Sequence, residues 1–169
     1  PFLKNGLKNI YDCQYKLHMF NDLNIVGHGL SSGAEDPELI RKRVNNNQFK
    51  VLEKAYAKIV KKLEMAFSLR NKSNPIIFLT HNVPYGIKLD FVNNKKSPAH
   101  GKHIGSTIAR DFCMKHKPLI CIGGHIHDNF GKCKLGKTTV INAGYGPDVN
   151  VLINIENNEI KSIKFVKKH

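Results

Sequence analysis

Three histidines stand where the chain could do chemistry. His125 and His127 are separated by one residue in Gly123-Gly124-His125-Ile126-His127, directly after the apolar run Pro118-Leu119-Ile120-Cys121-Ile122. A metal site needs neutral imidazoles presented together at the end of a rigid element, and this stretch supplies two. The competing reading is a polar turn that contains two histidines by chance. A third imidazole, His81, closes another apolar run, Ile76-Ile77-Phe78-Leu79-Thr80. Both runs read as buried strands. Between them a helix opens at Gly105-Ser106, carries Ile108, Phe112 and Cys113, and closes before Pro118. A strand, a helical crossover and a second strand make a parallel unit, so His81 and His125 are expected at the same, carboxyl, ends. Ligands bind at that end of an open α/β sheet.

Other constellations are weaker. Cys121, His125, His127 and Cys133 could form a zinc site, but the spacing matches no common ligand pattern and no cysteine pair has the two-residue gap of a zinc knuckle. Residues Gly131 to Thr138 fit the letters of a phosphate-binding loop, G-x-x-x-x-G-K-T. Such a loop follows a strand and opens a helix, whereas here a polar loop leads into the β-branched run Thr138-Thr139-Val140-Ile141, so that reading is rejected. His103-Ile104-Gly105-Ser106 sits at a helix start, where free N–H groups could receive a phosphate. Ser106 could equally be a simple helix cap.

The elements that must position these residues are legible in outline. Residues 1–30 read as short extended segments, followed by a loop at Ser31-Ser32-Gly33. Asp36-Pro37-Glu38 is a helix-start signal. A long helix follows, with Phe49, Leu52, Tyr56, Ile59, Leu63 and Phe67 at helical spacing as its expected core stripe, and Lys54, Lys58, Lys61 and Lys62 mostly off it. The tail is β, with a hairpin of Val149–Ile155 and Ile160–Val166 about Glu156-Asn157-Asn158-Glu159. The expectation is a single α/β domain over residues 1–169, with no internal repeat or linker. No apolar run approaches the ~18 residues of a membrane helix, so no membrane partner is expected. Four cysteines, one inside a buried strand, fit reduced thiols and a cytoplasmic location.

The net charge of +14 suggests polyanions, yet only four of the 27 basic residues are Arg, and pairs such as Lys61-Lys62, Lys95-Lys96 and Lys167-Lys168 look scattered. Nucleic-acid binding is therefore expected to be weak and sequence-blind.

Taken together, Leu79-Thr-His81-Asn-Val-Pro-Tyr-Gly86, Gly123-Gly-His125-Ile-His127 and the strand running into Asn142-Ala143-Gly144 resemble the last motifs of the calcineurin-like metallophosphoesterases. The segment at 103–106 is similar to that of small prokaryotic members. The resemblance covers about residues 76–145. It implies a sandwich of two β-sheets flanked by helices, of which this chain would be a part, and a two-metal hydrolysis of phosphoesters, by a phosphatase or a phosphodiesterase. His81 and His125 would ligate one divalent ion and His127 the other. The ions would be manganese, iron or zinc, metals that accept imidazole. His103, Gly105 and Ser106 would meet the substrate phosphate.

The family's carboxylate motifs, Asp-x-His, Gly-Asp-x-x-Asp and Gly-Asn-His-Asp/Glu, are missing: no aspartate here has His two positions later or Gly directly before it. The chain is therefore expected to be the carboxy-terminal portion of such a domain. Its Asp, Asn and His partners would come from a missing amino-terminal segment or a partner chain. Alone it would bind at most one ion, weakly, and be inactive. The alternative is a non-catalytic basic module that holds nucleic acid or another polyanion.

Overall fold

The computed structural model describes residues 10–29 and 33–167. Ser31 and Ser32 of the expected loop, and Lys168, lie outside them. Two short strands open the chain, β1 (Leu17–Phe20) and β2 (Leu23–His28). A 3-10 turn (Pro37–Arg43) follows, its start capped by Asp36, which accepts from the Glu38 N–H. Helix α1 (Asn46–Ser68) begins with a reciprocal cap in which Asn45 and Gln48 each accept the other's backbone N–H. Then come β3 (Ile76–Asn82), α2 (Thr107–His116), β4 (Ile120–Gly124), β5 (Gly131–Leu135), β6 (Thr138–Asn142), β7 (Val149–Glu156) and β8 (Glu159–Lys167). Among the described residues no helix is long and apolar enough to cross a membrane.

Six strands form one sheet in the order β1-β2-β3-β4-β6-β5, and β7 and β8 form a separate antiparallel pair. Strands β2, β3, β4 and β6 run parallel, while β1 and β5 flank them antiparallel. The expected parallel unit of β3, α2 and β4 is present. One face of the sheet, bearing Val26, Phe78, Cys121 and Val140, packs under α1 and α2, where Leu63, Phe67, Ile108 and Phe112 fill the core. Phe67 meets Phe78 and Phe112 at ring centroid distances of 5.2 Å. The other face, with Ile77, Ile120 and Ile141, packs against Ile153, Ile163 and Phe165 of the hairpin. The arrangement is a mixed α/β fold of one large and one small sheet flanked by helices.

Two expectations change. Residues 131–135, read as a loop, are strand β5, which turns at Gly136-Lys137 into β6, so the phosphate-loop letters spell a β-hairpin. The stripe of α1 is core only in its second half. Leu63 and Phe67 are fully buried, but Leu52 is 38% exposed and Phe49 is only half-buried, with Arg41 lying over its ring at 4.2 Å. The helix needs about 34 Å for its 23 residues, whereas the seven-residue β3 offers about 23 Å of sheet to lie on. The excess projects at the end where α1 starts. Asn24, at the start of β2, donates to the carbonyls of Asn71 and Asn74, which fixes the end of α1 at the amino ends of the strands. The projecting half therefore lies toward the carboxyl ends.

Candidate functional site

His81 and His125 leave the carboxyl ends of the adjacent parallel strands β3 and β4. Register between these strands runs from Ile77↔Ile120 to Leu79↔Ile122, then shifts before Asn82↔Gly124. Here the first glycine of the pair finds its reason. A Cβ on Gly123 would lie 2.8 Å from the Val83 nitrogen and 2.9 Å from the Asn82 carbonyl carbon, so the close approach of the two strand ends requires glycine there. At Gly124 the nearest atom would be 3.6 Å away, and the fit alone does not demand glycine. His125 then takes φ 69°, a left-handed conformation that L side chains rarely hold.

The result is a pair of imidazoles. His81 Nε2 and His125 Nδ1 are 3.0 Å apart, with ring planes tilted by 58°. Both nitrogens thus face one point, which a shared proton can occupy. Two nitrogens bound to one zinc at roughly 2.0–2.1 Å, with an angle between 90° and tetrahedral, lie about 2.9–3.4 Å apart, so the pair also fits two adjacent ligands of one ion. Burial lowers the pKa of His125 below the ordinary imidazole value, and the neighbouring His81 and His127 push the same way. That favours the neutral form a metal requires.

His127 starts the short 3-10 turn His127–Asn129 and stacks on Tyr145, with centroids 4.7 Å apart and planes 28° from parallel. Among the described residues no group of three His, Cys, Asp or Glu gathers as a metal cage. The structure thus joins two of the three imidazoles and turns the third onto an aromatic ring. Cys121 and Cys133 join neither: Cys121 is wholly buried in the core under the helices and Cys133 packs against that core.

Beside the pair opens a cleft of about 660 Å³ lined by residues including Asp12, Cys13, His28, Thr80 and His81. No local pattern announces this grouping, because Asp12 and His81 lie far apart in the chain. Asp12 is held by Lys16 at 2.7 Å. His28 is buried, its Nε2 3.0 Å from Glu35 Oε1, and its Nδ1 has no partner among the described residues.

The residues at 103–106 are placed by two carboxylates that pattern reading missed. Asp90 is fully buried and accepts from the backbone N–H of Gly86, Ile87 and Gly105 and from His103 Nδ1 at 2.6 Å. His103 is held edge-on to Phe91 and Tyr85, and its side chain is 39% exposed. Ser106 is buried and caps α2 by accepting from the Ala109 N–H, while its hydroxyl donates to Glu35 Oε1. Glu35 Oε2 accepts from the N–H and the hydroxyl of Thr107. The helix N-terminus, with its positive dipole end, is therefore filled by the chain's own carboxylate. Gly105 and Ser106 are spent on internal bonds, and His103 alone of the three keeps a ring nitrogen without a partner among the described residues.

A family model described as calcineurin-like phosphoesterase matches residues 3–129. No curated protein matches the chain. One crystal structure aligns with a TM-score of 0.56 at 15% identity, over 90% of this chain and 52% of its own. TT1561 of Thermus thermophilus aligns at 0.46 and 14% identity, over 92% of this chain and 58% of its own. A putative 5'-nucleotidase from Staphylococcus aureus, in complex with alpha-ketoglutarate, aligns at 0.47 and 14% identity, over 90% and 29%. The first likeness concerns the fold alone, and the other two are too distant in shape to carry an argument. This chain spans about half the length of the first structure it matches.

Proposed function

Because the chain belongs to the calcineurin-like phosphoesterase family, we propose that it carries part of the centre of a metal-dependent phosphoester hydrolase. The observation that supports this most directly is the 3.0 Å approach of His81 Nε2 to His125 Nδ1 at neighbouring strand ends. In this reading His81 and His125 hold one divalent ion, and His127, swung off Tyr145, joins a second. Bound manganese, iron or zinc would polarise the phosphoryl oxygens and supply a hydroxide at neutral pH.

The chain's own residues set the stage. Gly123 brings the two strand ends into contact, burial keeps His125 neutral, and His103, oriented through Nδ1 by Asp90, presents Nε2 toward a substrate phosphate. Two dications about 3.5–4 Å apart need carboxylates between them. These are assigned to Asp, Asn and His residues outside the described set, on a further segment of the domain or a partner chain.

Titration with Zn²⁺ or Mn²⁺ tests the pair directly. One weak site is expected, lost in His81→Ala and in His125→Ala, and fading as pH falls through the imidazole range near ~6.5. Ion binding that ignores both substitutions would rule the pair out. With an aryl phosphate and its diester this chain should turn over at background, and adding the carboxylate-bearing segment should restore activity that EDTA abolishes. Metal-dependent turnover by this chain alone would overturn the partial-centre reading.

A further inference from the structure

The outer face of α1 bears a pattern that the hydrolase reading does not use. Lys50, Lys54, Lys58 and Lys62 repeat every four residues, with Lys61 beside them. On a helix this spacing stacks side chains on one face, each about 6 Å further along the axis. All five are exposed. None takes part in an ion pair among the described residues, although Lys62 also lies 5.4 Å from the centre of the Tyr15 ring. Their arc is free of acidic residues: Glu53 and Glu64 fall to one side of it, and Glu64 is engaged by Lys115 at 2.7 Å. Arg41, Lys42 and Arg43, at the end of the preceding 3-10 turn, extend the charge toward the start of α1. Residues 37–62 hold eight cations and two carboxylates, a net +6 of the chain's +14.

This arrangement works against the helix that carries it. Like charges four residues apart repel across each step of the ladder. The first turn of α1 holds no acidic residue to meet the positive end of its dipole, and Lys50 lies close to that end. A surface helix evolving for stability alone would alternate sign. What offsets the cost is an external anion that is itself linear and regularly charged.

We infer that the lysine ladder of α1 is a docking face for the phosphate backbone of a single-stranded polynucleotide. The ladder is a single row that drifts about 40° around the helix at each four-residue step, a path that a flexible single strand can follow. A membrane surface would ask for a broad apolar face, and between the lysines only Val51 and Met65 offer one. The ladder starts toward the carboxyl ends of the strands, where His81 and His125 also lie, but on the helix side of the sheet, whereas the imidazole pair emerges on the hairpin side. That the docked strand is also the substrate rests on the hydrolase reading; the docking itself does not.

The test is binding of a labelled oligothymidylate, in EDTA, across a salt series. Each neutralised phosphate contributes about −0.7 to the slope of log K against log salt. Replacing Lys50, Lys54, Lys58 and Lys62 together by Gln is expected to reduce the magnitude of that slope by about 2.8 and to weaken binding at least tenfold at low salt. The variant should melt no lower than the parent, since repulsion has been removed. Replacing Lys95, Lys96, Lys132 and Lys164, all exposed elsewhere, changes the net charge equally and should weaken binding far less. Equal losses in the two variants would overturn the proposal, as would an unchanged slope in the ladder variant. So would binding to phosphatidylserine vesicles, lost in the ladder variant, with none to the oligonucleotide. Because EDTA is present throughout, a failed hydrolase reading leaves the docking result standing, and a failed docking leaves the metal titration standing.

Discussion

The two faces of the large sheet are closed to different degrees. Under the helices Phe67, Phe78 and Phe112 are at most 3% exposed and pack edge-on or tilted in one aromatic cluster. Under the hairpin Ile77, Ile120 and Ile141 are the buried members of the cluster among the described residues, and toward β1 the same face leaves Leu79 36% and Phe20 57% exposed. The imidazole pair emerges at the rim of this less covered face, since His81 alternates with Leu79 and Ile77 along β3. Scaffold and site are thus divided: the helix face supplies the cohesion, and the hairpin face leaves room at the strand ends.

That division can be broken by unequal core truncations. Phe67→Ala removes the ring at the centre of the aromatic cluster and should cost about 3–5 kcal/mol in urea unfolding. Phe165→Ala, on the half-buried hairpin, should cost nearer 1–2 kcal/mol. Equal costs would mean that both faces are load-sharing.

A smaller effect is expected from Glu35→Gln. The carboxylate joins His28, Ser106 and Thr107 at the start of α2, and charge-assisted bonds of this kind contribute about 1–3 kcal/mol. The loss should appear as a lower unfolding midpoint with the slope unchanged, and no change at all would show that the cap is dispensable.

The smallest effect concerns pH. Burial pushes His116 below its ordinary value, against the pull of Glu64, while it stacks on Phe67 and Phe112. The unfolded chain therefore takes up this proton first. Stability from His116 is full above the unfolded value near ~6.5 and declines as pH falls from there toward its lower folded value. His116→Gln should flatten that part of the stability curve. A curve equally steep in the variant would assign the decline to other groups.

Much of this was legible in the sequence because it is written locally. The apolar runs of β3 and β4, the helix between them and the histidines at their ends are short-range patterns, and parallel pairing follows from the crossover. The periodicity of α1 identified its apolar side but not what covers it, so Leu52 read as core although no layer lies over it. Strand β5 alternates Lys132 and Lys134 with Cys133 and looked like a loop because only one of its faces is packed. Glu35 was invisible as the partner of α2, since its bonds cross 71 and 72 residues of sequence.

Asp90 has a consequence for the order in which the site can assemble. Its four bonds span only 3, 4, 13 and 15 residues, and they divide the long segment between β3 and α2 into small rings. The entropy of closing a loop grows with its length, so these rings close more cheaply than the contact between His81 and His125, which spans 44 residues. The lobe bearing His103 can therefore organise within its own stretch of chain, whereas the imidazole pair exists only once β3 and β4 have found each other. Whatever the pair binds reports on completed pairing of the sheet, and local opening at the strand ends would dissolve it while the lobe persists.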